Sequence, residues 1–228
     1  MPVISAAVCP HPPLLVPEVA SGAAYELDEL RTACVAAIDQ LATATSVVVV
    51  GAATDRAAFP ADAGGSFGAY GAPGVRIGAG AAVLPLSLVV GGWLLEQTKA
   101  AHLPRTYLAV PVGATPTECL RLGQELADGN DQVGLLVMGD GSARRSEHSP
   151  VHLHPRAEIF DTTVATALQY RDLDVLRALD PDLAAELQAA GRAPWQVLAG
   201  ALSGTTLASD LTYNAAPYGV GYFVASFT

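Results

Sequence analysis

Residues 47–55, VVVVGAATD, decide the fold class of this 228-residue chain. Four successive valines with no polar residue between them predict a strand that is buried on both faces, as in a parallel or mixed sheet covered by helices. The small residues that follow predict a turn that carries Thr54 and Asp55 to the edge of the sheet. Sites in open α/β sheets lie beyond the carboxyl ends of the strands. Asp55 is therefore a candidate metal ligand, base or N-cap.

Similar apolar runs elsewhere predict further buried strands, separated by helical patterns. The predicted strands are residues 3–9, 46–51, 106–112, 133–138 and 220–227. The predicted helices are residues 24–41, 116–128, 155–169, 173–190 and 194–202. Their alternation predicts one α/β domain over residues 1–228, with a central, mostly parallel or mixed sheet and helices on both faces.

Capping residues refine some of these boundaries. Thr115 is predicted to be an N-cap with Pro116 in the first helical position, and Gly191 is predicted to end the helix before it. Residues 60–80 are rich in Gly, Ala and Pro, which predicts a long loop or a strand-poor excursion at the edge of the sheet.

Composition excludes several classes of partner. The net charge of −10 and the absence of a basic cluster argue against nucleic-acid binding. The apolar run at residues 79–95 contains Pro85 and is shorter than the roughly 20 residues that a membrane helix needs. Residues 1–13 lack a basic segment of the kind that begins a signal peptide. We therefore predict a cytoplasmic protein that does not bind membranes; a homo-oligomer is compatible with the sequence.

The loop at residues 9–13, CPHPP, presents the first candidate site residue. Prolines on both sides of His11 hold the backbone extended and fix the direction of the imidazole, as a metal ligand requires. A surface or capping histidine explains the same pattern.

A second loop, GDGSARR at residues 139–145, follows another predicted strand. It brings Asp140, Ser142 and Arg144 to the sheet edge, where backbone N–H groups and guanidinium groups can bind an anion. Asn214, just before the last strand, is a further candidate pocket residue. The HxxxHxH spacing of His148, His152 and His154 suggests zinc, but prolines 150 and 155 favour exposed, unmetallated side chains.

The order of these motifs resembles the class III extradiol ring-cleavage dioxygenase superfamily, including the Memo-like proteins, over about residues 3–227. The shared features are His-x-Pro after the first strand, Gly-Asp-x-Ser after a later one and a Gly-Arg-x-Pro turn. The resemblance implies a non-haem Fe(II) site with two histidines, a third ligand and an acid/base histidine. His11 matches the first ligand. Asp55 or a neighbour occupies the second position, Ala143 the acid/base position and Ala190 the third-ligand position of the Memo-like pattern.

These departures predict a dioxygenase-like domain that has lost its Fe(II) site, needs no cofactor and binds a small, anionic ligand in the remaining cleft. The residues expected to line that cleft are His11, Asp55, Asp140, Ser142, Arg144, Arg192 and Asn214. His11 is a metal ligand only if a metal binds at all. One alternative is a working metalloenzyme that uses Fe(II) or another divalent metal in a rearranged site, with His148 or His152 folding back. Another is a structural or interaction protein.

Overall fold

A seven-stranded mixed sheet forms the centre of the protein in the computed structural model, which describes residues 3–129 and 132–228. The strands are β1 (Val3–Cys9), β2 (Ser46–Ala53), β3 (Ala57–Phe59), β4 (Gly65–Phe67), β5 (Ala72–Ile77), β6 (Arg105–Pro111), β7 (Val133–Met138), β8 (Ser209–Ala215) and β9 (Tyr222–Phe227). Their order in the sheet is β3-β6-β2-β7-β1-β9-β8, and β4 pairs with β5 separately. Neighbours among β6, β2, β7 and β1 are parallel, whereas β3 and β9 pair antiparallel with this central group and β8 pairs antiparallel with β9.

Helices cover both faces of this sheet, as the sequence predicts. They are α1 (Pro17–Ala20), α2 (Asp28–Asp39), α3 (Leu86–Leu95), α4 (Pro116–Ala127), α5 (Ala157–Tyr170), α6 (Leu173–Arg177), α7 (Pro181–Glu186) and α8 (Arg192–Ala201). On β1, Ala7 and Cys9 pack in the core with α2 and α3, while Ala6 and Val8 pack in the core with α5 and α8. Because successive side chains of a strand point to opposite faces, an apolar residue at every position is what two covered faces require.

The predicted helix at residues 173–190 is wrong: it is divided into α6 and α7. Pro181 cannot continue a helix from the preceding residues, and the carboxylate of Asp180 instead caps α7 by accepting a hydrogen bond from the Asp182 N–H at 2.9 Å. Gly191 does not end this segment. It is the N-cap of α8, so the Gly-Arg-x-Pro turn begins a helix.

Helix α3 and the β4–β5 pair are absent from the predicted elements. Eight of the ten residues of α3 are buried, so the helix has no polar face and lacks the 3.6-residue period by which a helix is recognised. The β4–β5 pair lies within the segment predicted to be strand-poor and packs against α3, so closely that a Cβ at Gly65 would lie 2.4 Å from Val89. Across the described ranges, no helix combines the length and hydropathy needed to cross a membrane.

The predicted start of α4 is confirmed. The Glu118 N–H donates to Thr115 Oγ1 at 3.3 Å, and the Thr115 N–H donates to Glu118 Oε2 at 2.8 Å, which forms a capping box with Pro116 in the first turn.

Candidate functional site

The structure places His11 beside Asp140 at the carboxyl edge of the sheet. β1 and β7 are adjacent and parallel, with Cys9 opposite Met138, so the loops that follow them leave the sheet together. The backbone N–H of His11 donates to Asp140 Oδ1 at 2.7 Å, and His11 Nδ1 lies 3.6 Å from the same oxygen. The two candidates identified from separate loops therefore form one polar pair.

The environment of this pair determines which ring nitrogen of His11 is available. Nδ1 is buried and has no hydrogen-bond partner within residues 3–129 and 132–228. Burial raises the pKa of the Asp140 carboxyl, while the neighbouring His11 opposes that rise. An imidazole with its Nδ1 proton directed at the Asp140 carboxylate would leave Nε2 as a hydrogen-bond acceptor.

His11 and Asp140 line a cleft of about 320 Å³, which we call the His11 cleft. Three further polar side chains reach it: Gln188, Tyr218 and Tyr222. The remaining walls are apolar: Pro12, Pro13, Leu14, Leu86, Ala143, Pro150, Ala190 and Val220. The cleft is thus a mostly apolar space with one titratable pair.

The tyrosine hydroxyls of the His11 cleft are held neutral. Burial, together with the negative charge of Asp140, raises the pKa of Tyr222 far above its ordinary value. Burial also raises the pKa of Tyr218, whose hydroxyl donates to Glu26 Oε2 at 2.8 Å. Sequence analysis names Asn214 as the pocket residue of this region, whereas Asn214 lies in β8 and Tyr218 lines the cleft.

The loop at residues 139–145 does not present its N–H groups to an anion, which corrects the sequence-based expectation. Five successive N–H groups, from residue 141 to residue 145, already donate to protein acceptors. These acceptors are Gly221 O, Asp161 Oδ1, Leu187 O, Ser142 Oγ and Gly219 O. The hydroxyl of Ser142 is buried and lies 3.2 Å from Leu187 O. The loop therefore serves to hold Asp140 in place.

Asp161, which sequence reasoning misses, is the buried anchor of that loop. Its carboxylate accepts from the Ser142 N–H at 2.8 Å and from Arg145 Nη1 at 3.0 Å. Burial raises the pKa of Asp161, and these two donors oppose the rise. A Cβ at Gly141 or Gly221 would collide with the carboxylate, so both glycines are needed for the close approach. The only signal in the sequence is one acidic residue on the apolar face of α5.

Neither Arg144 nor Arg192 is among the residues that line the His11 cleft. Arg144 donates from Nε to His152 O at 2.8 Å and from Nη1 to Glu186 O at 3.0 Å. Arg192 is 2% exposed, and its guanidinium contacts the carbonyls of Val112 and Ala114. The described walls of the cleft therefore carry no arginine or lysine, and the expectation of an anionic ligand loses its physical basis there.

Asp55 and Asn214 are exposed and do not line the His11 cleft. Asp55 does follow a strand of the parallel group, but the chain turns away there to begin β3. His148 and His152 are exposed as expected. His154 is partly buried: its Nε2 lies 3.0 Å from Glu186 Oε1 and its Nδ1 accepts from the Arg156 N–H.

The donors present do not fit a facial Fe(II) triad. Ala143 and Ala190, which occupy the acid/base and third-ligand positions of the resembled pattern, line the same cleft as His11. Neither offers a metal donor atom. No group of three or more His, Cys, Asp or Glu residues is positioned to hold a metal anywhere in the described part of the chain. Such a triad needs three protein ligands.

Comparison with known proteins shows a shared fold and nothing more specific. The chain is similar to an uncharacterized protein, JW3007, from Escherichia coli K12, whose crystal structure aligns with a TM-score of 0.59 at 12% sequence identity. The alignment covers 98% of this chain and 99% of that one. No protein-family model matches the chain, and no curated protein matches it.

Proposed function

We propose that this protein binds a small, uncharged organic molecule in the His11 cleft, with the His11–Asp140 pair as its polar anchor. The observation that carries the proposal is the contact between these two residues in the wall of a mostly apolar cleft. Ligand sites are typically apolar pockets of about 300–1,000 Å³ with a few placed polar groups, and the volume of about 320 Å³ lies at the small end of that range.

The chemistry of the cleft favours a ring that carries a hydroxyl group. His11 Nε2 would accept a hydrogen bond from the ligand hydroxyl, and the hydroxyl of Tyr222, which lines the cleft, would donate one. Prolines and aliphatic side chains would contact the ring faces, since they bury apolar surface without polar atoms that need partners. A fixed negative charge on the ligand is disfavoured because Asp140 lines the cleft and no arginine or lysine does.

Binding without ring cleavage also agrees with the resemblance to the dioxygenase superfamily. The positions where that pattern has an acid/base histidine and a third ligand are occupied by Ala143 and Ala190. We therefore propose a dioxygenase-like domain that keeps the pocket and His11 but uses them for recognition.

The proposal is tested by titrating phenol, with toluene as the ligand that lacks the hydroxyl, and following saturation-transfer NMR and calorimetry. We expect phenol to bind. His11→Ala is expected to lower the affinity for phenol about tenfold, because it removes one hydrogen bond of about 1.4 kcal/mol. Asp55→Asn, at an exposed position outside the cleft, is the control and is expected to bind phenol like the wild type.

Equal binding of phenol and toluene, or unchanged phenol affinity in a folded His11→Ala variant, would overturn the proposal. Circular dichroism of both variants establishes that they are folded. If neither phenol nor toluene binds, the alternative hypothesis of a structural or interaction protein is favoured.

A further inference from the structure

A second cavity, of about 480 Å³, lies beside the His11 cleft. Gln188 and Ala190 line both spaces, so the segment at residues 188–190 separates them. The walls of the second cavity are formed by α7, by the β6–α4 loop at Val112 and Gly113, and by Arg192. We call it the Arg192 cavity.

Arg192 is a buried cation without a counter-charge. Its Nη1 donates to Ala114 O and, at 3.0 Å, to Gln196 Oε1, and its Nη2 donates to Val112 O. All three acceptors are neutral. Nε has no acceptor, and no carboxylate of the described chain forms an ion pair with this guanidinium. Buried charges are normally paired, because removing an ion from water without compensation is costly.

The N-terminus of α8 adds a second positive feature at the same place, where the N–H groups of Gly191 and Arg192 donate to the neutral carbonyls of Asp140 and Ala189. Arg192 is the first residue of this ten-residue helix, where the helix dipole is positive and a cation is unfavourable. The N-cap, Gly191, provides no side-chain acceptor, and the first turn contains no acidic residue. An anion in the cavity would counter both the charge of the guanidinium and the positive end of the dipole.

The remaining walls limit the kind of anion. Val112, Pro181 and the alanines of α7 present apolar surface, which suits an organic body rather than a bare inorganic ion. Asp182 also lines the cavity, from an exposed position, and would repel a doubly charged group more than a singly charged one. A singly charged carboxylate therefore balances the single charge of the guanidinium better than a doubly charged group does.

We propose that the Arg192 cavity is a binding site for a small organic carboxylate. Its carboxylate would lie against the guanidinium of Arg192 and the start of α8, and its apolar body would lie against α7. The site is separate from the His11 cleft and does not depend on the function proposed for that cleft.

The test is a titration of the full chain with benzoate, with benzyl alcohol as the uncharged probe of similar shape and phenyl phosphate as the doubly charged one. The readouts are calorimetry and the ¹⁵N–¹H signal of the Arg192 Nε–H group, assigned by its loss in Arg192→Lys. We expect benzoate to move this signal and to bind at least about tenfold more tightly than benzyl alcohol, the effect of one charge-assisted hydrogen bond.

Two variants at exposed positions of α7 test the site without touching Arg192. Ala185→Phe fills the cavity from its outer wall. It is expected to lower the affinity for benzoate at least about tenfold, because the larger side chain excludes the ligand. Asp182→Asn removes the repelling charge. It is expected to raise the affinity for benzoate about two- to threefold, which is the size of effect that one exposed charge has. His11→Ala is expected to leave benzoate binding unchanged.

Several outcomes would overturn the proposal. They are an unmoved Arg192 signal, equal affinity for benzoate and benzyl alcohol, tighter binding of phenyl phosphate than of benzoate, or benzoate binding that His11→Ala abolishes and Ala185→Phe does not. A failure of phenol to bind in the His11 cleft would leave this inference intact, because the variants that define the two sites are different.

Discussion

At the scale of single residues, Asp140 is the group on which the His11 cleft depends. Its carboxylate fixes the backbone of His11 and lies beside Nδ1, yet it is buried where ionisation is unfavourable. An acid whose pKa is raised in the folded state destabilises the protein once it ionises. That cost is absent below the unfolded pKa of about 3.9, grows as the pH rises, and is complete above the folded pKa.

Asp140→Asn is therefore expected to gain stability relative to the wild type as the pH increases from 4 to 7. The amide keeps an oxygen that accepts the His11 N–H, and it removes the buried charge. Urea unfolding at several pH values measures the difference between variant and wild type. Asp55→Asn, at an exposed position, is expected to show no such increase. A difference that shrinks as the pH rises would contradict the assignment of a raised Asp140 pKa.

The sequence identifies His11 and Asp140 because each follows an apolar run that predicts a buried strand. It misplaces the arginines because a long side chain can turn toward backbone carbonyls, as Arg144 and Arg192 do. Local spacing does not encode that choice, which depends on carbonyls supplied by distant segments. Asp161 is not predicted for the same reason, because it lies on α5 and the loop that it binds, at residues 139–145, is a different segment of the chain.

At the scale of elements, the close contact between α4 and α8 fixes the position of α8. The two backbones touch at glycines. A Cβ at Gly123 would lie 2.0 Å from Val197 O, and one at Gly200 would lie 2.3 Å from Leu120 O. Helix α8 therefore lies against α4 at a distance that no larger residue permits, and Arg192 at its start is fixed beside the β6–α4 loop.

Gly123→Ala is expected to destabilise the protein by about 1–3 kcal/mol through overpacking. Helix propensity alone predicts the opposite sign, since alanine in a helix interior is favoured over glycine by about 1 kcal/mol. Chemical denaturation measures the change. Gly74→Ala is the matched control, because nothing lies within 4 Å of a Cβ placed there. A Gly123→Ala protein as stable as the wild type would show that the helices separate at little cost.

Helices with a capping signal or an amphipathic period were predictable, whereas a helix without either was not. The start of α4 follows from Thr115 and Pro116, whereas α3 is buried on all sides and has no amphipathic period to detect. The division between α6 and α7 follows from Pro181, which the helical periodicity of the flanking leucines conceals.

At the scale of the whole molecule, strand order brings the two sites to one edge of the sheet. Continuous apolar runs predict covered strands, and the mixed sheet with helices on both faces is confirmed. The position of β7 between β2 and β1 has no local signature, because it results from long crossover connections. Yet it is this order that places Asp140 beside His11 and Gly191 beneath the same loop.

The same arrangement leads us to expect no extradiol ring cleavage. Ring cleavage at a facial Fe(II) site requires three protein ligands that leave room for substrate and O₂. In the His11 cleft, His11 and Asp140 are the candidate donors, while Ala143 and Ala190 supply none. His148 and His152, the donors that a rearranged site would recruit, are exposed on their loop. The protein is reconstituted anaerobically with Fe(II), given catechol, protocatechuate and gallate in air, and monitored for the yellow product. We expect a rate no higher than that of free iron. Turnover above that control that disappears in the His11→Ala variant would show that a third ligand reaches the cleft. It would support the alternative hypothesis of a metalloenzyme with a rearranged site.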